Sequence, residues 1–495
     1  MLDIQPKKTS FIEKLKRGKI SPVYTELPFL PPQQVFETIQ GPHSFLLESI
    51  KGPEKIARYS FAGTDPFVIF KIKNGSVETE FKGKKVLSSR TPLKKIKEIL
   101  KSYSVEAPQG FPPFIGGAVG IISYDFVHYF ERLPKTAVDD LQLPDAHFLF
   151  IDTLVAFDHK LKKTFIISCP GTSETGFSFG IPEKDRGIFY DRACEKINTL
   201  YQKITSSPPG HTRKSPNNRQ QTQILHDMGK DDYVRIVKKT KEYIKAGDIF
   251  QANLSQRVSA DIGDTDQWEI YKILSRINPS PFAAFLDMGD YQIVSSSPER
   301  LLKFNTSTVE TRPIAGTRPR GYDSNSDHEM RKDLLLNEKE RAEHLMLIDL
   351  ERNDLGKISD YGSVEVDEFM ITEDYSHVIH IVSNIKGKVA KGKDCFDAIR
   401  ATFPGGTITG VPKVRCMEII DELEPVTRGP YTGSLGYMSF TGTADLNIII
   451  RTFVIKNNVA YVQAGAGIVA DSEAEREYFE TLKKAEALIK TLEML

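Results

Sequence analysis

Strand-forming runs recur along most of this chain, and they constrain its fold more than any other feature. They are rich in β-branched and aromatic residues and are bounded by turn residues, as strands are. Five of them lie at residues 44–50, 67–81, 148–158, 433–440 and 446–455. Asn74-Gly75 interrupts the second run and is typical of a two-residue hairpin turn. Because strand runs outnumber strand–helix alternations, we expect an α+β fold built on large antiparallel sheets.

Four segments have helical periodicity instead, at residues 233–247, 327–349, 412–423 and 472–489. Gly247 is suited to cap the first at its C-terminus, and Pro412 stands in the first turn of the third. Ser472 and Glu475 match a capping box at the start of the fourth. The buried stripe predicted for this last helix comprises Tyr478, Leu482, Ala485 and Ile489.

Composition excludes several functional classes. The 495 residues exceed one simple domain, and 66 basic residues balance 66 acidic ones. This balance argues against a general nucleic-acid or membrane-surface role. No apolar run has the length of a signal-peptide core or a membrane span, so we expect a cytoplasmic protein. The single cysteines, which predict neither disulfides nor a zinc site, are Cys169, Cys194, Cys395 and Cys416.

One polar segment suggests how the chain is divided. Residues 206–223 are rich in proline and serine and almost lack apolar side chains, which is typical of an exposed linker. We therefore predict an N-terminal region over residues 1–205, a linker over 206–224, and a catalytic region over 225–495.

Two sets of glutamates have helical spacing. Glu473, Glu477 and Glu480 form an acidic stripe on the last helix, and Glu340 and Glu343 are i,i+3 neighbours on an earlier one. Either set can be a solvated face, with the second pairing with lysine and arginine along its own helix. Either can also supply oxygen ligands to Mg²⁺, which prefers one or two carboxylates, water and an anionic substrate.

Two glycine-rich turns precede helices. Gly465 and Gly467 let backbone N–H groups approach an anion, but the third glycine of a dinucleotide motif is lacking. The segment 403–413 resembles a phosphate loop, except that Val411 stands where lysine is required. Nucleotide binding is therefore rejected, and a carboxylate site remains open. Lys413 either reaches water or meets an anion.

His380, Arg451 and an arginine-rich segment also allow two interpretations. His380 lies in an apolar strand pattern and is either a core residue or a general base. Arg451 ends an apolar strand, where a buried charge requires an anionic partner. Residues 312–321, "RPIAGTRPRG", place three arginines around Ala315 as loop charges or as donors to a carboxylate ligand. Together these features describe a pocket for a small polycarboxylate with Mg²⁺.

Four long blocks in this chain resemble those of the chorismate-utilising enzymes. They are "PIAGTRPRG", "EKERAEHLMLIDLERNDLG", "GGTITGVPKVRCMEIIDELEP" and "YVQAGAGIVADSEAEREYFET". The match runs from about Ser44 to the C-terminus. Two branches of the family are similar, component I of anthranilate synthases and component I of aminodeoxychorismate synthases. The resemblance implies two antiparallel sheets packed as a sandwich, with helices outside and the active site in a cleft between lobes.

The resemblance also assigns site residues. It implies a Mg²⁺ ion that holds the ring carboxylate of chorismate, and an acid/base role for His380. Tyr431 and Arg451 would grip the enolpyruvyl carboxylate. The metal set is Glu343, Glu480, Glu340 and Glu477, with Glu299 nearby. The rest of the catalytic and substrate set is Thr407, Gln251, Gly316, Thr317, Gly465, Ala466, Gly467 and Lys413.

The nucleophile separates the branches. Typical aminodeoxychorismate synthases have "PIKGT", whose lysine attacks the ring, whereas Ala315 cannot do so. Water-adding relatives carry a lysine base where this chain has Gln251. We therefore expect external ammonia to attack ring C2, and pyruvate to be eliminated afterwards. Anthranilate is the favoured product; aminodeoxychorismate is the alternative, and a non-catalytic polycarboxylate-binding protein a remote one.

The resemblance implies two further partners. No cysteine has the context of a glutaminase nucleophile, so a separate glutamine amidotransferase subunit should deliver ammonia, in a heterodimer or heterotetramer. "SFLLES" and "NPSPFA" are similar to a feedback site for L-tryptophan. The residues that would form this site are Glu48, Ser49, Pro281, Phe282 and Ala283.

Overall fold

The computed structural model describes residues 2–17, 20–88, 91–103, 105–171, 186–206, 223–374 and 378–495. These residues form 25 strands and 11 α-helices, numbered here along the chain, together with two short 3₁₀ helices. All strand pairs within the sheets are antiparallel and fall into two large sheets.

The first sheet has 13 strands. In spatial order these are β1 (Ile4–Gln5), β2 (Val23–Pro28), β11 (Lys163–Ser168), β10 (Thr153–Asp158), β4 (Tyr59–Gly63), β3 (Phe45–Glu48), β14 (Phe282–Asp287), β15 (Gln292–Ser297), β24 (Thr452–Lys456), β25 (Val459–Ile468), β13 (Gln251–Asp261) and β12 (Leu225–His226), with β21 (Gly410–Val411) beside β13.

The second sheet has 12 strands. Their order is β18 (Ile314–Pro319), β20 (Val378–Lys388), β17 (Thr308–Arg312), β16 (Arg300–Asn305), β23 (Ala444–Ile448), β22 (Ser434–Ser439), β8 (Gly117–Ile122), β9 (Ala146–Ile151), β5 (Val68–Lys73), β6 (Ser76–Phe81) and β7 (Lys84–Ser88), with β19 (Glu365–Asp374) beside β20.

The helices are α1 (Lys8–Lys16), α2 (Pro32–Ile39), α3 (Pro92–Lys101), α4 (Arg186–Ser206), α5 (Lys230–Ala246), α6 (Gln267–Ile277), α7 (Ser324–Leu336), α8 (Glu338–Gly356), α9 (Cys395–Thr402), α10 (Lys413–Leu423) and α11 (Ala474–Glu493). The 3₁₀ helices are Tyr124–Tyr129 and Gly406–Ile408. Among the described residues no helix is long and apolar enough to cross a membrane.

Aromatic side chains join the two sheets through a common core. The ring of Phe61 on β4 meets that of Tyr437 on β22, with centroids 5.5 Å apart. Phe114 packs against both rings. All three side chains are buried, so the sheets pack on each other through apolar contacts. The predicted α+β sandwich is confirmed.

Two segments that were each predicted as one strand are divided into two strands, and the two strands lie in different sheets. Residues 148–158 contain the end of β9 and all of β10, which separate at Asp152. Residues 446–455 divide between β23 and β24, and Arg451 between them has a left-handed φ of 53°. Apolar runs look continuous in sequence because both strands are buried, although the chain changes sheet within the run.

The helix predictions need two corrections. The helix predicted over 327–349 is divided at Asn337, whose extended backbone separates α7 from α8 and whose side chain accepts a hydrogen bond from the Glu340 N–H at 3.0 Å. The capping box at Ser472 does not form, because Glu473 is the N-cap. The Ser472 hydroxyl instead accepts a hydrogen bond from the Val469 N–H.

Other local predictions are confirmed. Gly247 ends α5 in the left-handed conformation with φ 85°. Pro412, predicted in the first turn of its helix, lies one residue earlier, as the N-cap of α10. Asn74 and Gly75 both have positive φ in the turn between β5 and β6, which are paired. These features depend on neighbouring residues alone, which is why they can be predicted from sequence.

The predicted linker lies largely outside the described residues, since 207–222 are not among them. Strands from both sides of it share each sheet. β3 pairs with β14 in the first sheet, and β8 pairs with β22 in the second. The N-terminal and C-terminal regions therefore contribute to one continuous β framework.

Candidate active site

The predicted site residues gather where the chain passes from one sheet to the other. Glu299 lies between β15 and β16, and Arg451 lies between β23 and β24. The Ser296 N–H donates to the Arg451 carbonyl oxygen, and the Ile448 N–H donates to the Glu299 carbonyl oxygen, both at 3.0 Å. These bonds hold the two crossings side by side.

The first edge of the site is made by β13, β25 and α8. Gln251 Nε2 donates a hydrogen bond to Glu343 Oε1 at 3.0 Å. A Cβ atom on Gly467 would overlap the Gln251 amide and lie 3.8 Å from Glu343 Oε1. Glycine is therefore required here, because any side chain would displace the Gln251–Glu343 pair.

The glycine at 465 serves a second close approach. A Cβ atom there would overlap the Asn253 carboxamide and lie 2.9 Å from the Tyr431 hydroxyl. Side chains alternate along a strand, so Gly465 and Gly467 share one face while the fully buried Ala466 lies on the other. The two glycines line the site, and Ala466 packs in the core.

β18 lies along a second edge. Gly316 has φ 63°, and a Cβ atom there would overlap Glu340 Oε2 and lie 2.9 Å from Leu334 Cδ1. Glu340 Oε1 accepts a hydrogen bond from Arg318 at 2.5 Å. Glu340 Oε2 is buried and accepts no hydrogen bond from a described residue. Glu340 therefore pairs with Arg318 of β18 rather than with neighbours along its own helix.

His380 on β20 faces the same segment. Its Nδ1 lies 3.0 Å from the Thr317 hydroxyl and 3.3 Å from the Gly316 carbonyl oxygen. Burial lowers the pKa of His380 to about 4, the Gly316 carbonyl opposes this shift, and the charge of Arg451 adds to it. The imidazole is therefore neutral near pH 7, as a general base must be.

Arg451 is a partly buried cation with no counter-ion among the described residues. No hydrogen bond or ion pair links its guanidinium to a described residue, whereas the buried Arg428 nearby pairs with Glu424 at 2.7 Å. Burial lowers the pKa of Arg451, and its charge acts on both Tyr431 and His380. An uncompensated buried charge is costly, so an anion is its natural partner.

Two buried carboxyl groups lie behind the site. Burial raises the pKa of Glu299 to about 7, against the effects of the Thr407 hydroxyl and the Ile314 N–H. Burial also raises the pKa of Glu351 to about 8, and Glu299 contributes to that increase. Glu299 therefore holds a proton on a substantial fraction of molecules at neutral pH.

Lys413 is engaged within the protein. Its ammonium pairs with Asp354 at 2.5 Å and donates to the Thr402 carbonyl oxygen at 3.2 Å. Its charge also acts on the nearby Glu351. In these contacts Lys413 anchors α10 to α8, and its role towards substrate stays a prediction.

The arginines of 312–321 are ion-paired. Arg312 pairs with Glu368 at 2.6 Å and with Glu373 at 2.5 Å. Arg318 pairs with Asp333 and Glu340, and Arg320 pairs with Asp327. These pairs hold β17 and β18 against β19, α7 and α8.

The predicted metal ligands come from two helices. Lys484 Nζ donates to Glu480 Oε1 at 2.8 Å and to the Gly465 carbonyl oxygen at 3.1 Å. Gly465 and Gly467, predicted in a turn, belong to strand β25, so Glu480 lies beside the part of β25 that Glu343 borders through Gly467. Burial raises the pKa of Glu477, and the charge of Glu480 adds to this effect. The described residues contain no group of three or more metal-ligating side chains around one point.

These carboxylates nevertheless suit Mg²⁺. The ion needs only one or two protein carboxylates, since water and an anionic substrate complete its shell. Glu340 offers a buried oxygen that no described donor satisfies, and Gly316 and Gly467 keep the space beside the two α8 glutamates free of side chains.

The residues predicted to bind L-tryptophan lie close together in the structure, although they are far apart in the sequence. Ala283 on β14 is paired with Glu48 on β3. The Ser49 hydroxyl donates to the carbonyl oxygens of Tyr59 and Pro281 at 2.9 and 3.1 Å. Phe282 begins β14 between these contacts.

Glu48 is also hydrogen-bonded within the protein. Its carboxylate accepts bonds from the Tyr271 hydroxyl at 2.6 Å and from Gln33 Nε2 at 2.9 Å. Burial raises its pKa, and both bonds oppose the increase. The five residues adjoin one another, and tryptophan binding stays a prediction.

Three residues of this region have no role that was predicted from the sequence. Asn253, Glu351 and Lys484 are near the site but had no assigned role. Asn253 is two residues from Gln251 on one face of β13, so strand alternation alone could have indicated it. Glu351 and Lys484 are helical residues whose neighbours come from distant segments, and no local signal marks them.

Comparison with known proteins gives a consistent result. A family model described as chorismate binding enzyme matches residues 42–490. The chain is 43% identical to anthranilate synthase component 1 of Acetivibrio thermocellus, over 91% of this chain and 90% of the relative. It is 41% identical to aminodeoxychorismate synthase component 1 of Bacillus subtilis, over 91% and 92%.

Solved structures agree with the fold. Anthranilate synthase component I from Streptococcus pneumoniae superposes with a TM-score of 0.76 at 34% identity, covering 92% of this chain and 97% of that one. The isochorismate synthase MenF of Escherichia coli superposes with a TM-score of 0.69 at 18% identity, covering 98% and 99%, which shows a shared fold.

Proposed function

Because this chain belongs to the chorismate-binding enzymes, we propose that it is the large subunit of an anthranilate synthase in tryptophan biosynthesis. It would convert chorismate and ammonia to anthranilate, pyruvate and water as a Mg²⁺-dependent lyase. The observation that carries the proposal is Arg451, a partly buried guanidinium that lacks a carboxylate partner among the described residues. A dianionic substrate supplies that partner.

Substrate binding follows from the charges of the site. Arg451 and the Tyr431 hydroxyl would hold the enolpyruvyl carboxylate of chorismate, since both are donors at the same place. Gly465, Gly467 and Gly316 leave room for the ring because side chains there would overlap neighbouring groups. Thr317, which contacts His380, would orient that base towards the ring.

Mg²⁺ would be held by Glu343 and Glu480, with Glu340 and Glu477 beside them. When bound, it would neutralise the ring carboxylate and favour loss of the C4 hydroxyl. Removal of Mg²⁺ with a chelator should abolish turnover, and added Mg²⁺ should restore it. Full activity after chelation, with residual metal shown to be absent, would contradict this part of the proposal.

The first chemical step needs an acid. Glu299 is a buried carboxyl group of the site with a pKa of about 7, so it can donate a proton to the departing C4 hydroxyl, which leaves as water. Ammonia forms the new C–N bond at C2 and loses one proton. Ala315 excludes a lysine nucleophile at its position, and Gln251 is not a base that could activate water.

The second step needs a base. His380 is neutral near pH 7 and would remove the C2 proton. The resulting electron pair forms the aromatic ring as the C3–O bond breaks, and pyruvate is released after protonation of its enol. Aromatisation drives this step.

The partners of the enzyme form part of the same proposal. A separate glutamine amidotransferase subunit would supply ammonia, and L-tryptophan would inhibit by binding near Glu48 and Ser49. Support comes from similarity to anthranilate synthase component 1 relatives and from the adjacency of β3 and β14. None of the four cysteines, all of which lie among the described residues, forms a disulfide, and this agrees with a cytoplasmic location.

One assay tests the proposal against its alternatives. The purified chain is mixed with chorismate, ammonium chloride and Mg²⁺, and the products are followed by fluorescence and chromatography. Fluorescent anthranilate is the expected result. An aminated chorismate that becomes aromatic only when a lyase is added would assign the enzyme to the aminodeoxychorismate branch, which the 41% identical relative makes a real competitor. Absence of any turnover would indicate a non-catalytic binding protein.

A further inference from the structure

Asn253 on β13 has an unsatisfied carboxamide in the middle of the site. Its Oδ1 is buried and accepts no hydrogen bond from any residue the structure describes. No described residue bonds to its side-chain nitrogen either. Its backbone is firmly held, since its N–H donates to the Thr409 carbonyl oxygen at 2.8 Å and its carbonyl oxygen accepts from Arg428 at 2.6 Å. The backbone is thus fixed, while the side chain has no partner among the described residues.

The surroundings keep a gap open in front of this carboxamide. A Cβ atom on Gly465 would overlap Asn253 Oδ1 and approach the Tyr431 hydroxyl to 2.9 Å. Gln251, two residues earlier on the same face of β13, is 94% buried and also has an orphaned carbonyl oxygen, Oε1. Gln251 turns its amide nitrogen towards Gly467, so Asn253 Oδ1 is the buried acceptor that faces the glycine-lined side of β25 with no donor among the described residues.

We propose that Asn253 positions the ammonia nucleophile. This inference rests on the proposed amination of chorismate. Ammonia carries three N–H donors, and Asn253 Oδ1 can accept one of them. Its lone pair then points away from β13, towards the ring carbon that it attacks. Asn253 is a positioning residue, because it forms no bond with the reacting carbon.

The carboxylates of chorismate and a divalent cation satisfy this carboxamide less well than ammonia. The carboxylates of chorismate have acceptors only, so they cannot fill a demand for donors. A divalent cation is disfavoured beside Tyr431, because the uncompensated Arg451 acts there. The same positive charge disfavours ammonium relative to ammonia, which keeps the lone pair that the reaction needs.

The test compares wild type with Asn253→Leu, which has a similar volume and no acceptor. Initial rates are measured against ammonium chloride at fixed pH and ionic strength, and separately against chorismate and Mg²⁺. We expect KM for ammonia to rise about tenfold, the effect of one lost hydrogen bond, with kcat and KM for chorismate within about twofold of wild type. The melting temperature should not fall, because no internal bond is removed.

Two further variants make the result specific. Asn253→Asp keeps an acceptor but adds a negative charge that favours ammonium. Its KM for total ammonium should stay near the wild-type value, while its kcat falls at neutral pH and recovers as the pH rises. Asn447→Ser is the matched control, because Asn447 is buried but its Oδ1 accepts from the Leu435 N–H at 3.1 Å. It should lower the melting temperature and leave KM for ammonia unchanged.

Several results would overturn the inference. KM for ammonia could stay unchanged in Asn253→Leu while KM for chorismate or Mg²⁺ rises, which would assign the carboxamide to substrate or metal. KM for ammonia could rise as much in Asn253→Asp as in Asn253→Leu, which would show that a hydrogen-bond acceptor at this position does not matter. Each comparison requires that wild type aminate chorismate, and if it does not, the proposed function has failed first.

Discussion

Single charged side chains define this site at the scale of the residue. Arg428 and Arg451 are near neighbours of Tyr431, but only Arg428 has an internal carboxylate partner among the described residues. Arg451 also has a left-handed backbone with φ 53°, a strained conformation for a residue with a long side chain. Strain and an uncompensated charge at one position are typical of a binding residue.

Replacing Arg451 by methionine should therefore weaken substrate binding without harming the fold. We expect KM for chorismate to rise about 100-fold, because charge-assisted hydrogen bonds to the carboxylate are lost. The melting temperature should not fall. Arg428→Met is the control, since it leaves Glu424 buried without its partner and should destabilise the protein by about 3–5 kcal/mol. Unchanged KM in Arg451→Met would remove the anion site.

Glu299 should set the alkaline limit of activity. Its pKa is raised to about 7, so the proton that it donates is present below that pH and lost above it. We expect kcat to fall as pH rises through about 7. Glu299→Gln should lower kcat about 100-fold or more and remove this limb from the remaining activity. A full pH–rate profile measures both effects, and an unaltered alkaline limb in the variant would assign it to another group.

At the scale of the element, α8 connects the site to the second sheet. Glu340 and Glu343 border the site, and His344, one turn after Glu340, is fully buried with its Nε2 2.7 Å from the Ser383 hydroxyl of β20. Ser383 in turn accepts a hydrogen bond from the Met370 N–H of β19. The position of the glutamates therefore depends on a polar contact inside the protein.

His344 should make the stability sensitive to acid. Burial lowers its pKa to about 4, whereas it is 6.5 in the unfolded chain. Between these values the unfolded chain binds a proton that the folded chain does not, so the free energy of unfolding falls as pH decreases from 6.5 to about 4. The loss is about 3 kcal/mol.

Urea unfolding of wild type and His344→Gln across this pH range tests the prediction. Glutamine can still bond Ser383 but does not titrate, so the variant should lose about 3 kcal/mol less stability on acidification. His380 has a similarly lowered pKa and contributes in the same window, so part of the dependence will remain. An equal slope in both proteins would contradict the assignment.

At the scale of the whole molecule, charged side chains link the N-terminal region to the substrate strand. Lys55, a few residues after Ser49, pairs with Glu368 of β19 and lies 3.8 Å from Glu373. Both glutamates pair with Arg312, which ends β17 just before the segment of Ala315 and Gly316. A change near the predicted tryptophan residues could reach β18 through this network.

Lys55→Met should therefore uncouple inhibition from activity. We expect the tryptophan concentration for half inhibition to rise about fivefold, while kcat without tryptophan stays within about twofold. Exposed ion pairs contribute little stability, so the melting temperature should hardly change. Lys160→Met is the control, because Lys160 pairs with the nearby Glu54, and no ion pair joins it to β19 in the part of the chain that the structure describes. Equal inhibition of Lys55→Met and wild type would exclude this route.

Much of this protein could be predicted from sequence because local rules govern it. The Asn74-Gly75 turn, the Gly247 cap and the buried strands all depend on residues close in the chain. The division of residues 446–455 between two sheets could not be predicted, since buried strands look alike. Helical periodicity alone does not show the break at Asn337, where an N-cap starts a second helix.

The sequence by itself determined the fold class, the family and the identity of the chemical groups: glutamates, one histidine, one arginine and an alanine where a lysine could stand. Only the tertiary structure decided which of these groups have partners. Arg312, Arg318 and Arg320 look like ligand-binding residues in sequence but are ion-paired, whereas Arg451 and Asn253 are not satisfied by any described residue. The reason is physical: charge compensation and hydrogen bonding depend on contacts between segments far apart in the chain, and no local pattern contains them.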